Sequence, residues 1–171
     1  MAVVALLTTG CEALPTERTG DLGGAALFRS AAAQYTPRGT GELFDARLAF
    51  TFTNRTRTAV AFVNCGGLAS YVVERWIGGR WKTAYSPAFA LCLSPAIVVP
   101  AGGQRAMQVA LTALSPRLAE RAGPALVTTQ VRGVYRIRWA DARRDDGRNP
   151  PTGPLLPLRD QISNAFELRL P

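Results

Sequence analysis

Apolar and polar residues alternate with a period of two over several short stretches. Leu48, Phe50 and Phe52 alternate with Ala49, Thr51 and Thr53, and Asn54-Arg55-Thr56 ends the run. Successive side chains of a strand point to opposite faces, so this spacing predicts a strand with one face in a core. Val60 and Phe62 continue the pattern up to the breaker Asn64-Cys65-Gly66-Gly67. Ala96-Ile97-Val98-Val99 is a short apolar run, stopped by Pro100-Ala101-Gly102-Gly103. Met107, Val109 and Leu111 then alternate with Gln108 and Ala110. Tyr135, Ile137 and Trp139 alternate with Arg136 and Arg138, which gives one apolar and one basic face. Phe166, Leu168 and Leu170 alternate with Glu167 and Arg169.

Gly78-Gly79, between Ile77 and Arg80, predicts a two-residue hairpin, since glycine accepts the positive φ that such turns need. The register places Trp76 opposite Trp81, and an aromatic cross-strand pair contributes up to about 1 kcal/mol. Two readings follow: an aromatic platform for a ligand, or a hairpin stapled by its own indoles. A brief helical turn is expected at Ser115 to Gly123, with Ser115 as cap and Pro116 in the first helical position. Ala25 to Tyr35 reads as a strand whose alanine run also suits a helix. The pattern as a whole predicts an all-β domain: a two-sheet antiparallel sandwich of roughly seven to nine strands with at most one short helix.

The chain has 171 residues, 47% of them hydrophobic and 19% charged, which suits one domain, or one domain with a tail. It contains no histidine, so histidine-based triads, histidine metal sites and the usual proton shuttle near neutral pH are excluded. Twenty basic residues against twelve acidic ones give a net charge of +8, and Lys82 is the only lysine.

Ala2 to Leu7 is an apolar run followed by Thr8-Thr9-Gly10-Cys11. It is far shorter than the roughly 20 residues that cross a bilayer, and it reads as the end of a signal-peptide hydrophobic region. The segment resembles the lipobox of bacterial lipoproteins, whose cysteine receives lipid. The resemblance implies a partial signal peptide over 1–11, lipidation at Cys11, a polar tether over 12–21 and the folded domain over 22–171. No basic segment precedes the apolar run, so Met1 is expected to be an internal start or a truncation product. With Cys11 lipidated, Cys65 and Cys92 remain as a candidate disulfide. The alternative is two buried, reduced thiols.

From Leu48 to Leu170 the sequence resembles immunoglobulin-like sandwich domains of bacterial lipoproteins and other exported proteins. The matching pieces are Phe52-Thr53-Asn54, Asn64-Cys65-Gly66, the hairpin with its following tryptophan, Val99-Pro100-Ala101-Gly102-Gly103, Gly133-Val134-Tyr135-Arg136 and Ser163-Asn164-Ala165-Phe166-Glu167-Leu168. The hairpin and the proline-glycine stretch are also similar to those of the intracellular proteinase inhibitors of bacilli. The first resemblance implies a binding or spacer module. The second implies a protease inhibitor presenting a loop such as Ile77 to Arg80.

Catalytic groups are not in view. A serine–lysine pair would have to use Lys82, and no motif places a serine beside it. Asp141 to Asn149 has the carboxylates of a calcium loop without its spacing, and three arginines stand among them; the expectation is a solvated loop with internal ion pairs. Gly66-Gly67 and Gly102-Gly103 lack the strand–loop–helix context of a phosphate cradle. Arg132, Arg136, Arg138, Arg143, Arg144 and Arg148 fall within 17 residues, against three aspartates. For an exported, membrane-anchored domain this basic stretch suits anionic lipid headgroups, an envelope protein or an anionic envelope polymer rather than nucleic acid. The expected role is therefore a lipid-anchored, extracytoplasmic binding or accessory module, with no catalytic activity and no cofactor or metal. Its ligand contacts are sought at Trp76, Arg80, Trp81, Arg136, Arg138, Arg143 and Arg144.

Overall fold

The computed structural model describes residues 26–87, 92–122, 126–127 and 131–170. Its first half contains β1 (Phe28–Ser30), β2 (Gln34–Tyr35), β3 (Arg38–Thr40), β4 (Leu43–Thr53), β5 (Val60–Cys65) and β6 (Leu68–Ala69). The hairpin β7 (Val72–Ile77) and β8 (Arg80–Tyr85) follows, then β9 (Ser94–Val99), β10 (Gln104–Leu114) and α1 (Pro116–Ala122). The chain continues through β11 (Leu126–Val127), β12 (Gly133–Arg138), β13 (Arg143–Arg144), α2 (Leu158–Gln161) and β14 (Phe166–Leu168).

The longest alternations build the centre of a first sheet. β4 buries Ala46, Leu48, Phe50 and Phe52 and exposes Asp45, Arg47, Ala49 and Thr51. β10 runs antiparallel to it along its whole length, with Met107 opposite Phe50 and Val109 opposite Leu48, so both strands offer one apolar face. β1 takes the other edge of β4, β3 pairs with its start, and β11 lies parallel to the end of β10. A second sheet has the order β2-β14-β12-β7-β8. In a third group β5 pairs with β9 on one side and with β13 and β6 on the other.

The apolar faces meet in one core. Phe28 of the first sheet stacks on Trp139 at 4.0 Å between ring centroids, and Phe50 meets Trp139 and Phe166 edge-on at 5.2 and 5.8 Å. Phe52 meets Phe62 of β5 at 5.0 Å. Each such pair contributes about 0.5–1.5 kcal/mol beyond the area it buries.

Asn54, fully buried, joins two breakers that are distant in sequence. Its side-chain NH2 donates to the carbonyls of Thr58 (2.9 Å), Val99 (2.9 Å) and Pro100 (3.1 Å), and its Oδ1 accepts from the N–H and hydroxyl of Thr56. Its backbone N–H and C=O bond Gly103 and Gly102. The turn after β4 and the turn between β9 and β10 thus satisfy each other's polar groups.

The fold is mostly β, as the alternation predicts, with corrections. Fourteen strands are present among the described residues, because several are two- or three-residue pieces; three paired groups form, and the β2–β14 and β10–β11 contacts are parallel. The alanine run at 31–33 is not helical: it lies between two short strands, and Ala31 and Ala33 bond the backbones of Ala49 and Glu167. A second short helix, α2, replaces the expectation of one at most; Asp160 N–H bonds the Pro157 carbonyl, and the Gln161 side chain donates to the Leu156 carbonyl at 2.5 Å. α1 starts at Pro116 as expected, but the buried hydroxyl of Ser115 caps nothing among the described residues; its carbonyl accepts from Leu118 and Ala119 instead.

Candidate functional site

Gly78 and Gly79 adopt φ of 59° and 80°, the hairpin geometry expected of this pair, and Trp76 stands opposite Trp81. Their rings meet edge-on at 5.2 Å. On the other side of β7, β12 places Arg136 opposite Glu74 and Arg138 opposite Val72. Since Tyr135 and Ile137 face the core, Arg136 and Arg138 occupy the outer face.

Glu74 organises that face, and the sequence reading did not single it out. Its Oε2 accepts from Arg136 Nε at 2.6 Å and its Oε1 from Arg138 Nε at 3.0 Å. The Glu74 and Arg136 side chains are 11% and 16% exposed, enough shielding for charge-assisted bonds to contribute about 1.5–3 kcal/mol. The Arg136 guanidinium also lies over the Trp81 ring, 4.5 Å from its centroid. The rings thus meet across the hairpin, as the staple reading has it, and Trp81 also supports an arginine of the neighbouring strand. A signal for Glu74 existed in its spacing, two residues before Trp76 and so on the same face.

The cluster holds two guanidiniums and one carboxylate; Arg80 and Lys82 of the adjoining edge strand are exposed, but they alternate with Trp81 and so point to the opposite face, which leaves Arg80 out of the cluster. Each guanidinium carries five donors and uses Nε on Glu74, so the face combines excess positive charge, fixed donors and aromatic surface. Such an arrangement suits an anionic, partly planar or apolar ligand. On the core side, burial pushes the Tyr135 phenol up to about 12, with Arg75 opposing the shift from 5.8 Å over the ring.

Arg143 and Arg144 do not join this face. The turn after Trp139, closed by a bond from Ala142 N–H to the Trp139 carbonyl, carries them to β13 beside β5. There Arg143 donates to the Gly153 carbonyl at 3.0 Å, while Arg144 is exposed. The following acidic loop is held by hydrogen bonds, and the internal ion pairs expected there are absent among the described residues. Asp146 accepts from the Thr152 hydroxyl at 2.6 Å and from Arg148 N–H, and the Thr152 bond foremost holds its carboxyl below the usual range.

Cys65 and Cys92 form a disulfide. The bond closes a loop that contains β6 and the whole β7–β8 hairpin. Cys11, the partial signal peptide at 1–11 and the tether at 12–21 lie outside the described residues. No helix among the described residues is long and apolar enough to cross a membrane.

No family model matches the chain, and no curated protein matches it. Among solved structures the chain is similar to Pseudomonas fluorescens alkylpurine DNA glycosylase AlkC bound to DNA containing an abasic site analog, at 15% identity and a TM-score of 0.30. The match covers 86% of this chain and 32% of the glycosylase, so the chain spans about a third of that protein's length. A likeness this slight carries no argument about fold or activity.

Proposed function

We propose that this chain is a non-catalytic binding or accessory module of the cell envelope, built as an immunoglobulin-like sandwich and anchored through lipid on Cys11. The sheet orders β1-β4-β10 and β2-β14-β12-β7-β8 around one core support the sandwich reading. So does Tyr135, near the start of β12, whose hydroxyl donates to the Val131 carbonyl four residues upstream at 2.8 Å. That bond resembles the tyrosine corner of such domains. The disulfide suits an oxidising compartment.

The observation that carries the binding role is the outer face of β12, β7 and β8. There Arg136 and Arg138 converge on Glu74 beside Trp76 and Trp81. The ligand class is anionic, as an acidic envelope protein or polymer would be. Titration with poly-L-glutamate tests this through tryptophan fluorescence, because Trp139 is buried and the signal change comes from Trp76 and Trp81. Binding at low salt that weakens in Arg138→Ala and at high ionic strength supports the reading; an unchanged spectrum at low salt refutes it. For the anchor, mass spectrometry of natively expressed protein is expected to find acylated Cys11 at a processed terminus; an unmodified Cys11 on an intact N-terminus refutes that part.

The second reading is a protease inhibitor using Ile77 to Arg80. Ile77 is 41% exposed and Arg80 is exposed. Only two glycines form the tip, however, and protease clefts take longer extended segments. Absence of inhibition across a protease panel at micromolar protein removes it.

A further inference from the structure

We propose that the open edge of β10 docks an extended peptide, which adds a strand to the first sheet. Strand addition needs three things: unpaired backbone groups, a place for side chains and access. β10 supplies them.

The direction of its backbone groups follows from two independent contacts. Tyr71 donates its hydroxyl to the Ala110 carbonyl at 2.5 Å, so that carbonyl has a partner outside β4. Across β4, Ala49 O and Thr53 N–H bond Ala31 and Leu27, so Phe50 and Phe52 direct their backbone groups to β10. Their partners there are Met107 and Arg105. Backbone groups alternate in direction along a strand, so those of Gln104, Ala106 and Gln108 point to the open side with Ala110. Among the described residues β11 pairs with this edge at Ala113 and Leu114, Tyr71 caps it at Ala110, β6 flanks the cleft beside it, and nothing pairs with the amides of Ala106 and Gln108.

Beside this edge lies a cleft of about 240 Å³, lined by Leu68, Ile97, Met107 and Trp139, with exposed Arg105 among its lining residues. Its volume falls below the roughly 300–1,000 Å³ of pockets that enclose whole small molecules, and it suits the side chains of a strand instead. The edge of β8 contrasts with it: exposed Lys82 stands mid-strand, a device that discourages strand addition. The occupant that fits β10 is an extended segment with small apolar side chains toward the cleft and a carboxylate for Arg105. The site is separate from the arginine–tryptophan face, and either proposal can fail alone.

The probe is the peptide Thr-Val-Thr-Val-Thr-Glu, acetylated and amidated at its ends. Antiparallel to β10, its glutamate faces Arg105, its valines the positions of Met107 and Val109, and its second and third threonines Ala106 and Gln108. Hydrogen exchange at the Ala106 and Gln108 amides is expected to slow on saturation. N-methylation of those two threonines should abolish binding, whereas N-methylation of the valines should not. Gln108→Pro removes an N–H that no strand among the described residues uses, so the circular dichroism is retained while affinity falls about tenfold. The proposal is overturned by unslowed exchange at millimolar peptide, by protection on another strand, or by equal loss from both methylations. Should Gln108→Pro fail to fold, the methylated pair still decides.

Discussion

Replacing Asn54 by aspartate changes the side chain by one heavy atom and leaves its shape intact. The NH2 group it removes faces three carbonyl oxygens, those of Thr58, Val99 and Pro100, in a fully buried position. Two donor hydrogens are lost, and at a net value of about 1 kcal/mol each the loss is about 2 kcal/mol. The ionised carboxylate adds repulsion from those carbonyls and a desolvation cost, both of which raise its folded pKa. A rise of about two units adds about 2.7 kcal/mol at neutral pH. Asn54→Asp is therefore expected to be destabilised by about 4–5 kcal/mol at pH 7, a large part of the roughly 5–15 kcal/mol of an ordinary domain. With the folded pKa raised, the electrostatic part is present above that pKa and relaxes as pH falls through it toward the unfolded value near 4. Asn54→Ala loses the same bonds without a charge, and its deficit should not depend on pH. Urea unfolding of wild type and both variants at pH 7 and pH 4 measures the difference. Equal stability of Asn54→Asp and wild type, or a deficit that stays constant between the two pH values, refutes the account of Asn54 as a donor bridge.

Cys65→Ala with Cys92→Ala opens a loop with a sequence separation of 27 and should cost about 3.5 kcal/mol by the chain-entropy estimate, read as a lower urea midpoint. Tyr135 ionises near pH 10 when unfolded but at about 12 when folded; its stabilisation is complete below pH 10 and fades as pH rises through 12. The Tyr135 share of the tyrosinate absorbance at 295 nm, read as wild type minus Tyr135→Phe, should thus rise with unfolding rather than before it, and Tyr135→Phe should flatten the alkaline decline. At Gly153 a Cβ would run into the backbone carbonyl oxygen of Arg144, so Gly153→Ala should lower stability by about 1–3 kcal/mol in the same urea assay.

Much of the strand pattern was legible because burial on one face forces a period of two. Leu48, Phe50 and Phe52 on β4, and Met107, Val109 and Leu111 on β10, fall where the alternation puts them. The Gly78-Gly79 turn was equally readable, since few residues other than glycine accept its dihedrals. Pairings between distant segments leave no such mark. The parallel contact of β2 with β14 joins Gln34 to Glu167, and neither stretch announces the other. The arginines illustrate the same limit. Six of them look like one cluster when counted along the chain, but the turn after Trp139 sends Arg143 and Arg144 to another group of strands. Glu74 is the converse case: a single acid in a hairpin gains its role only when β12 brings Arg136 and Arg138 beside it.

The bond between Cys65 and Cys92 encloses Lys82. A lysine-specific endoproteinase therefore has a single cleavage point in the whole sequence, and a cut there falls inside a covalent ring. Nicked molecules would keep their full mass until a reductant is added and then separate into two fragments. A tag placed at either end would report that event on a gel. Amine-reactive reagents meet the same geometry: apart from the α-amino group they find one target, next to Trp81 in the hairpin but turned to its opposite face, so a label or a solid support attached through it would leave both the arginine–tryptophan face and the β10 edge free.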